Sequence, residues 1–120
     1  MTRKRKELGD HGETEAVRYL KKKGYRIIKT NFRVAVGEID VIAEKGSILV
    51  FIEVKTRSGS RFGGPLVAVN EQKQRKIILV AQSFLARYKI EGREIRFDVV
   101  TVEGKADDWN IQIIENAFRA

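Results

Sequence analysis

The 120-residue sequence predicts one α/β domain with a mixed central sheet flanked by helices. Three observations support this fold class: two segments have helical periodicity, five are β-rich, and one of these five is apolar without alternation. Continuous apolar character is typical of a strand that is covered on both faces. Neither an internal repeat nor a low-complexity linker interrupts the chain, so residues 1–120 are predicted to form a single domain, with residues 1–8 as a candidate flexible basic arm.

The first predicted helix spans residues 9–23, where Ala16, Val17 and Leu20 form an apolar stripe and Gly24 provides a C-terminal stop. The second follows Asn70, a favourable N-cap residue, and extends to about residue 88. Its apolar side chains recur with helical spacing at Ile77, Ala81, Phe84, Leu85 and Tyr88.

The strands complete the predicted order αβββαββ. They cover residues 25–31, 38–44, 48–56, 95–102 and 110–115. The dipeptide Lys45-Gly46 is predicted as a two-residue turn between the second and third strands. The fourth strand is reached from the third by a right-handed helical crossover, which fits a mixed sheet.

The composition excludes several kinds of site. The chain has no cysteine and one histidine, so disulfides, Cys-ligated zinc and thiol catalysis are excluded, and oxygen atoms are the expected metal ligands. Its longest apolar runs have five residues, far below the roughly 20 of a membrane helix. The N-terminus carries charge but no apolar signal segment. No membrane partner is expected, and the cytoplasm is the default location.

The charge balance favours a polyanionic partner. Twenty-four Lys and Arg residues against 16 Asp and Glu give a net charge of +8 and a pI near 9.9, which fits DNA, with RNA as an open alternative. Residues 1–30 carry a net +6 and residues 53–76 a net +4. Six side chains are candidate phosphate contacts: Arg33, Arg57, Arg61, Lys73, Arg75 and Lys76. The competing interpretation is a solvated surface that only keeps the domain soluble.

Acidic residues of the second and third strands are expected to meet on one face of the sheet. With Lys45-Gly46 as the complete turn, Glu38 lies opposite Glu53, and Asp40 is diagonal to Glu53. Strand side chains alternate, so Lys55 shares the face of Glu53. A turn one residue longer would send Asp40 to the other face, so the cluster depends on an even-numbered turn.

This cluster predicts a magnesium site. Two carboxylates about 5 Å apart repel by about 3 kcal/mol at an effective dielectric near 20, and a cation would reverse that sign. Mg²⁺, with Mn²⁺ as an alternative, takes one or two carboxylates, waters and phosphate oxygens, as Asp40 and Glu53 could offer. Lys55 could orient a water or stabilise charge on the phosphate. Cross-strand salt bridging on a wet sheet face is the structural alternative.

Glu13 is a fourth candidate, because it continues the stripe of Ala16, Val17 and Leu20 and therefore points toward the sheet. A carboxylate aimed inward needs a partner. The spacing leaves two roles open for it, a further metal ligand or a structural partner of Lys55 or of an arginine.

The motifs resemble those of a known family. Asp40 followed by Glu53-Val54-Lys55 is similar to the PD-(D/E)xK signature of the restriction-endonuclease-like superfamily, without its proline. From about residue 9 to 102, the chain resembles the YraN family of predicted endonucleases. The shared motifs are Gly12-Glu13, Gly24-Tyr25-Arg-Ile-Ile, Asn31-Phe-Arg33, Gly37-Glu-Ile-Asp40, Phe51-Ile-Glu-Val-Lys-Thr-Arg57, Phe62-Gly63, Lys73 and Arg96-Phe-Asp98.

The resemblance implies a restriction-endonuclease-like αβββαβ core, with Asp40 and Glu53 as metal ligands, Lys55 as the catalytic lysine and Glu13 as an auxiliary acid. The layout is also similar to that of archaeal Holliday-junction resolvases. The expected activity is Mg²⁺-dependent hydrolysis of DNA phosphodiester bonds, on branched or otherwise irregular DNA, with a nucleic-acid-binding module without catalysis as the alternative. A homodimer would suit cleavage of two strands, although no dimer seam is visible in the sequence.

Overall fold

The computed structural model describes the backbone of residues 3–57, 69–105 and 108–120, and the side chains of residues 12–56, 69–104 and 108–120. The element order αβββαββ confirms the predicted fold class. The elements are α1 (Arg3–Lys22), β1 (Arg26–Val34), β2 (Gly37–Lys45), β3 (Ile48–Arg57), α2 (Glu71–Arg87), β4 (Ile95–Lys105) and β5 (Asp108–Phe118).

The five strands form one mixed sheet in the order β1-β2-β3-β4-β5. β3 and β4 are parallel, and the other neighbours are antiparallel. This arrangement follows from the connections, because short turns join antiparallel neighbours whereas α2 carries the chain from β3 back to the start of β4. β3 is therefore the central strand, as its continuous apolar sequence predicted.

Two apolar cores cover the two faces of the sheet. Leu49 and Phe51 of β3 pack on the α2 side, together with Phe84 of α2. Val50 and Ile52 pack on the α1 side. Both sets are buried, so every residue from Leu49 to Ile52 has an apolar partner, and this explains why β3 shows no alternation of apolar and polar residues.

Helix α1 begins at Arg3, six residues before the predicted start. Residues 3–8 are mostly strong helix formers, and a single glycine at position 9 is tolerated within a helix. The predicted stop is confirmed: Gly24 has a φ of +91°, and the Tyr25 N–H donates to the Leu20 carbonyl at 3.0 Å. β1, β4 and β5 also extend beyond their predicted bounds, because pairing with neighbouring strands continues past the β-rich segments.

A buried polar network connects Tyr25, just after the C-terminal end of α1, to β4 and β5. Asp98 is fully buried and accepts hydrogen bonds from Tyr25 Oη at 2.9 Å, Arg96 Nε at 2.8 Å and the Asn116 N–H at 2.9 Å. Burial, followed by the charge of Asp98, raises the pKa of Tyr25, so the phenol remains a donor. Because the carboxylate is paired and hydrogen-bonded, its burial is compatible with a stable fold.

None of the helices in the described part of the chain combines the length and the apolar character needed to cross a membrane.

Candidate metal centre

The hairpin of β2 and β3 brings Asp40 close to Glu53, although its turn is not the predicted one. Lys45 pairs with Ile48, so the turn residues are Gly46 and Ser47, and the prediction of Lys45-Gly46 is wrong. Moving the turn by one residue changes the register by two, so the predicted faces are preserved for the paired residues 41–45 of β2. The regular pairing of β2 with β3 ends at Val41 and Ile52, one position before Asp40 and Glu53.

The predicted partners change accordingly. Phe51 pairs with Ile42, not with Asp40, and the pairing of Glu38 with Glu53 is also wrong. Glu38 instead faces Arg33 of β1, whose Nη2 lies 3.0 Å from the Glu38 carboxylate.

Asp40 lies at a break in the alternation of β2. Ile39 and Ile42 both pack in the core on the α2 side, whereas Val41 packs in the core on the α1 side. At this break, Asp40 Oδ2 accepts a hydrogen bond from the backbone N–H of Val54 at 2.8 Å. The Asp40 side chain thus accepts the Val54 N–H, which in a regular ladder would donate to a backbone carbonyl of β2. This hydrogen bond fixes the Asp40 carboxyl beside β3.

Glu53 is held from the other side by α2. It is 9% exposed, and its Oε1 lies 3.5 Å from Nζ of Lys73. Lys73 belongs to the first turn of α2, where Asn70, the predicted N-cap, accepts the Lys73 N–H at 2.8 Å. The start of α2 therefore brings an ammonium group to the acidic pair.

Burial and neighbouring negative charges disturb both carboxyl groups. Desolvation, followed by the charge of Asp40, raises the pKa of Glu53 to about 7, and the cations of Lys73 and Lys55 oppose the rise. Desolvation also raises the pKa of Asp40, against the hydrogen bond from Val54. The two groups are close enough to share a hydrogen bond. Near neutral pH, the pair therefore resists carrying two negative charges.

Lys55 lies two residues beyond Glu53 on β3 and is half-buried. The alternation of Leu49, Phe51 and Glu53 along β3 places Lys55 on the α2 side of the sheet. Lys55 therefore shares the face of Glu53, as predicted. Its charge acts on Glu53. Three of the four predicted catalytic residues, Asp40, Glu53 and Lys55, are thus brought to one region.

Glu13 belongs to α1, which packs on the opposite face. It is half-buried and lines a cavity of about 380 Å³ together with Val17 of the same helix and Thr30 and Asn31 of β1. The side chain therefore turns toward the sheet, as predicted, but its described surroundings are at β1. Its role as an auxiliary acid stays a prediction.

The oxygen donors fit magnesium with two protein ligands. No group of three or more His, Cys, Asp and Glu residues suited to a metal ion occurs among the described residues. Asp40 and Glu53 nevertheless offer two adjacent, buried carboxylates whose repulsion a divalent cation would relieve. Magnesium commonly uses one or two carboxylates and completes its shell with waters and substrate phosphates. Asp40 and Glu53 would be the residues that hold it.

The candidate phosphate contacts have different surroundings. Arg33 pairs with Glu38, and Lys73 with Glu53. Arg75 and Lys76 are exposed on α2, while the side chains of Arg57 and Arg61 lie outside the described residues.

The sequence did not predict that Lys73 contacts Glu53. Its position three residues after an N-cap was the available signal, but that position does not define which way the side chain points.

The chain has close relatives. The family model described as Uncharacterised protein family UPF0102 matches residues 12–102. A UPF0102 protein of Caldicellulosiruptor saccharolyticus is 46% identical over 116 residues, which cover 95% of this chain and 98% of the relative. One of Alkaliphilus metalliredigens is 48% identical over 114 residues (94% and 98%), and one of Desulfosudis oleivorans is 42% identical over 120 residues (100% and 96%). These matches confirm the YraN-like family expected from the motifs, and the chain belongs to the UPF0102 family.

Proposed function

We propose that this protein is a magnesium-dependent endonuclease that hydrolyses phosphodiester bonds in DNA. The observation that carries the proposal is the pairing of two buried carboxyl groups, Asp40 and Glu53, with two lysines, Lys55 and Lys73, at one end of the hairpin of β2 and β3. Two buried carboxylates so close together are unfavourable when no cation offsets their negative charge. A divalent cation is suited to such a pair. The resemblance to PD-(D/E)xK nucleases supports the same assignment.

The roles of the residues follow from their chemistry. Asp40 and Glu53 would hold the ion, and the chemistry that it would supply there is activation of water and polarisation of the phosphate. The backbone N–H of Val54 keeps the Asp40 carboxyl oriented. Lys55 stabilises negative charge on the phosphate as the water oxygen bonds to phosphorus and the bond to the leaving sugar oxygen breaks. No side-chain nucleophile takes part in this scheme, and hydrolysis proceeds without a covalent enzyme intermediate.

The substrate is DNA of branched or irregular shape. The net charge of +8 favours phosphate contacts, and binding dominated by such contacts depends on DNA shape and strongly on salt. The similarity of layout to archaeal Holliday-junction resolvases supports a four-way junction as the first substrate to examine.

A second function, binding of nucleic acid without cleavage, is supported by the ion pair of Lys73 and Glu53. An acidic group that is already neutralised by a lysine can be purely structural. In that case the basic side chains would hold phosphates, and Asp40 and Glu53 would only stabilise the hairpin.

The two functions are separated by cleavage assays on supercoiled, linear, single-stranded and four-way-junction DNA, each with Mg²⁺, Mn²⁺ or EDTA. An endonuclease nicks at least one substrate with either metal and none in EDTA. The variants Asp40→Asn and Glu53→Gln abolish nicking but still shift DNA in a gel, whereas Glu15→Gln, at an exposed ion pair with Arg18, cleaves as the wild type does. Wild-type protein that shifts every DNA and nicks none would refute the endonuclease and support the binding module.

A further inference from the structure

Lys73 is a cation that acts on both buried carboxylates. Its Nζ lies 3.5 Å from Glu53 Oε1, and its charge also acts on Asp40. The Glu53 side chain is 11% exposed, whereas that of Lys73 is 47% exposed. The carboxylate is therefore fixed inside the protein, and the ammonium reaches it from the solvent side.

The backbone that carries Lys73 is firmly anchored. Asn70 caps the Lys73 N–H at 2.8 Å, the Gln74 N–H donates to the Asn70 carbonyl at 2.9 Å, and Gln74 Nε2 donates to the carbonyl of the buried Val69 at 2.7 Å. These contacts fix the first turn of α2 on the core. The flexible stem of the lysine is then the part that is free to move.

The ion pair itself is loose. Charge-assisted hydrogen bonds between an ammonium and a carboxylate are commonly about 2.7–2.9 Å long, and the distance between Lys73 Nζ and Glu53 Oε1 is 3.5 Å. A partly exposed lysine at this distance neutralises charge without locking the carboxylate in place. Displacing the ammonium therefore breaks no short hydrogen bond.

We propose that Lys73 is an internal counterion, which neutralises the Asp40–Glu53 pair in the metal-free protein and must be displaced when a divalent cation binds there. The inference rests on the proposed metal centre. A divalent cation and an ammonium repel each other at the same pair of carboxylates, so Lys73 weakens metal binding by the free protein. Lys73 is a positioning residue in this scheme, because it acts through the two ligands.

The inference is tested by Mn²⁺ binding to the DNA-free protein at constant ionic strength, with the unbound ion measured by electron paramagnetic resonance. Removing the charge in Lys73→Met tightens Mn²⁺ binding about tenfold, since a nearby repelling cation is lost. Lys73→Arg keeps the charge and binds within about twofold of the wild type. The matched control is Lys76→Met, which removes the same charge from an exposed position one turn further along α2.

The outcomes separate this inference from the proposed function. Tighter binding in Lys73→Met, with Lys73→Arg and Lys76→Met close to the wild type, supports the counterion. Equal or weaker binding in Lys73→Met overturns it, and so does an equal gain in Lys76→Met, which would reflect net charge alone. If Glu53→Gln abolishes Mn²⁺ binding while Lys73→Met leaves it unchanged, only the counterion fails. If neither the wild type nor Lys73→Met binds Mn²⁺, the metal centre and the counterion fail together.

Discussion

Neutralising Glu53 should stabilise the metal-free protein, and the gain should depend on pH. Burial and Asp40 raise the pKa of Glu53 from 4.5 to about 7, and each unit corresponds to about 1.4 kcal/mol. Below pH 4.5, Glu53 is protonated in both the folded and the unfolded chain, so its ionisation takes nothing from the free energy of unfolding. Between pH 4.5 and 7 the unfolded chain ionises first, so the free energy of unfolding falls by about 3 kcal/mol in total. Burial also raises the pKa of Asp40, so this carboxyl acts in the same direction.

Urea denaturation followed by circular dichroism, in EDTA at pH 4.5 and pH 8, measures this effect. Glu53→Gln cannot ionise, so its advantage over the wild type should grow from near zero at pH 4.5 to about 3 kcal/mol at pH 8. Excess Mg²⁺ at pH 8 should restore part of the wild-type stability, because the ion binds only the folded state. Glu15→Gln, at the exposed ion pair with Arg18, is the control for removal of a glutamate charge. A Glu53→Gln advantage that is independent of pH would refute the assignment of a raised pKa to this group.

Three further variants test how the structure supports the site. Gly12→Ala should lower the free energy of unfolding in urea by about 1–3 kcal/mol, because the new Cβ would lie 2.3 Å from Thr56 Oγ1. At an uncrowded helix position, the same substitution would instead stabilise the helix. Thr56→Ala should recover part of the loss in the double variant, and an unchanged loss would contradict this contact. Asp98→Ala should lower the free energy of unfolding by about 3–5 kcal/mol, since it leaves the charge of Arg96 without its buried partner, and a loss below about 1 kcal/mol would show that the network is dispensable. Asn70→Ala should cost about 1 kcal/mol through the lost N-cap, whereas Asn70→Asp should retain the cap, and equal losses in the two variants would argue against capping.

The sequence predicted those parts of the fold that depend on short-range patterns. The apolar run from Ile48 to Ile52 indicated a central strand, and the cap at Asn70 indicated the start of α2; both predictions are confirmed. The turn was misplaced because Gly46, with a φ of +61°, suits either position of a two-residue hairpin turn. An alternating pattern fixes which face a side chain occupies, but it does not fix the register to better than two residues.

The site was predicted less completely, because its details depend on contacts between elements. The hydrogen bond from the Val54 N–H to Asp40 requires β2 to leave its regular pairing with β3. No local pattern in the sequence indicates this departure. The contact of Lys73 with Glu53 depends on the rotation of α2 about its axis. That rotation is set by core packing, not by the residues of the first turn. The carboxylate pair was therefore visible in the sequence, while its counterion was not.

In the proposed site, Asp40 and Glu53 together bind a divalent cation. The most direct measurement is anomalous diffraction at the manganese absorption edge from crystals of the protein soaked in Mn²⁺. One strong peak should lie about 2 Å from a carboxylate oxygen of each residue, with Nζ of Lys73 moved away from Glu53, and Glu53→Gln should give no such peak. Well-ordered density for both carboxylates with no anomalous peak between them, and with Lys73 still paired to Glu53, would contradict it.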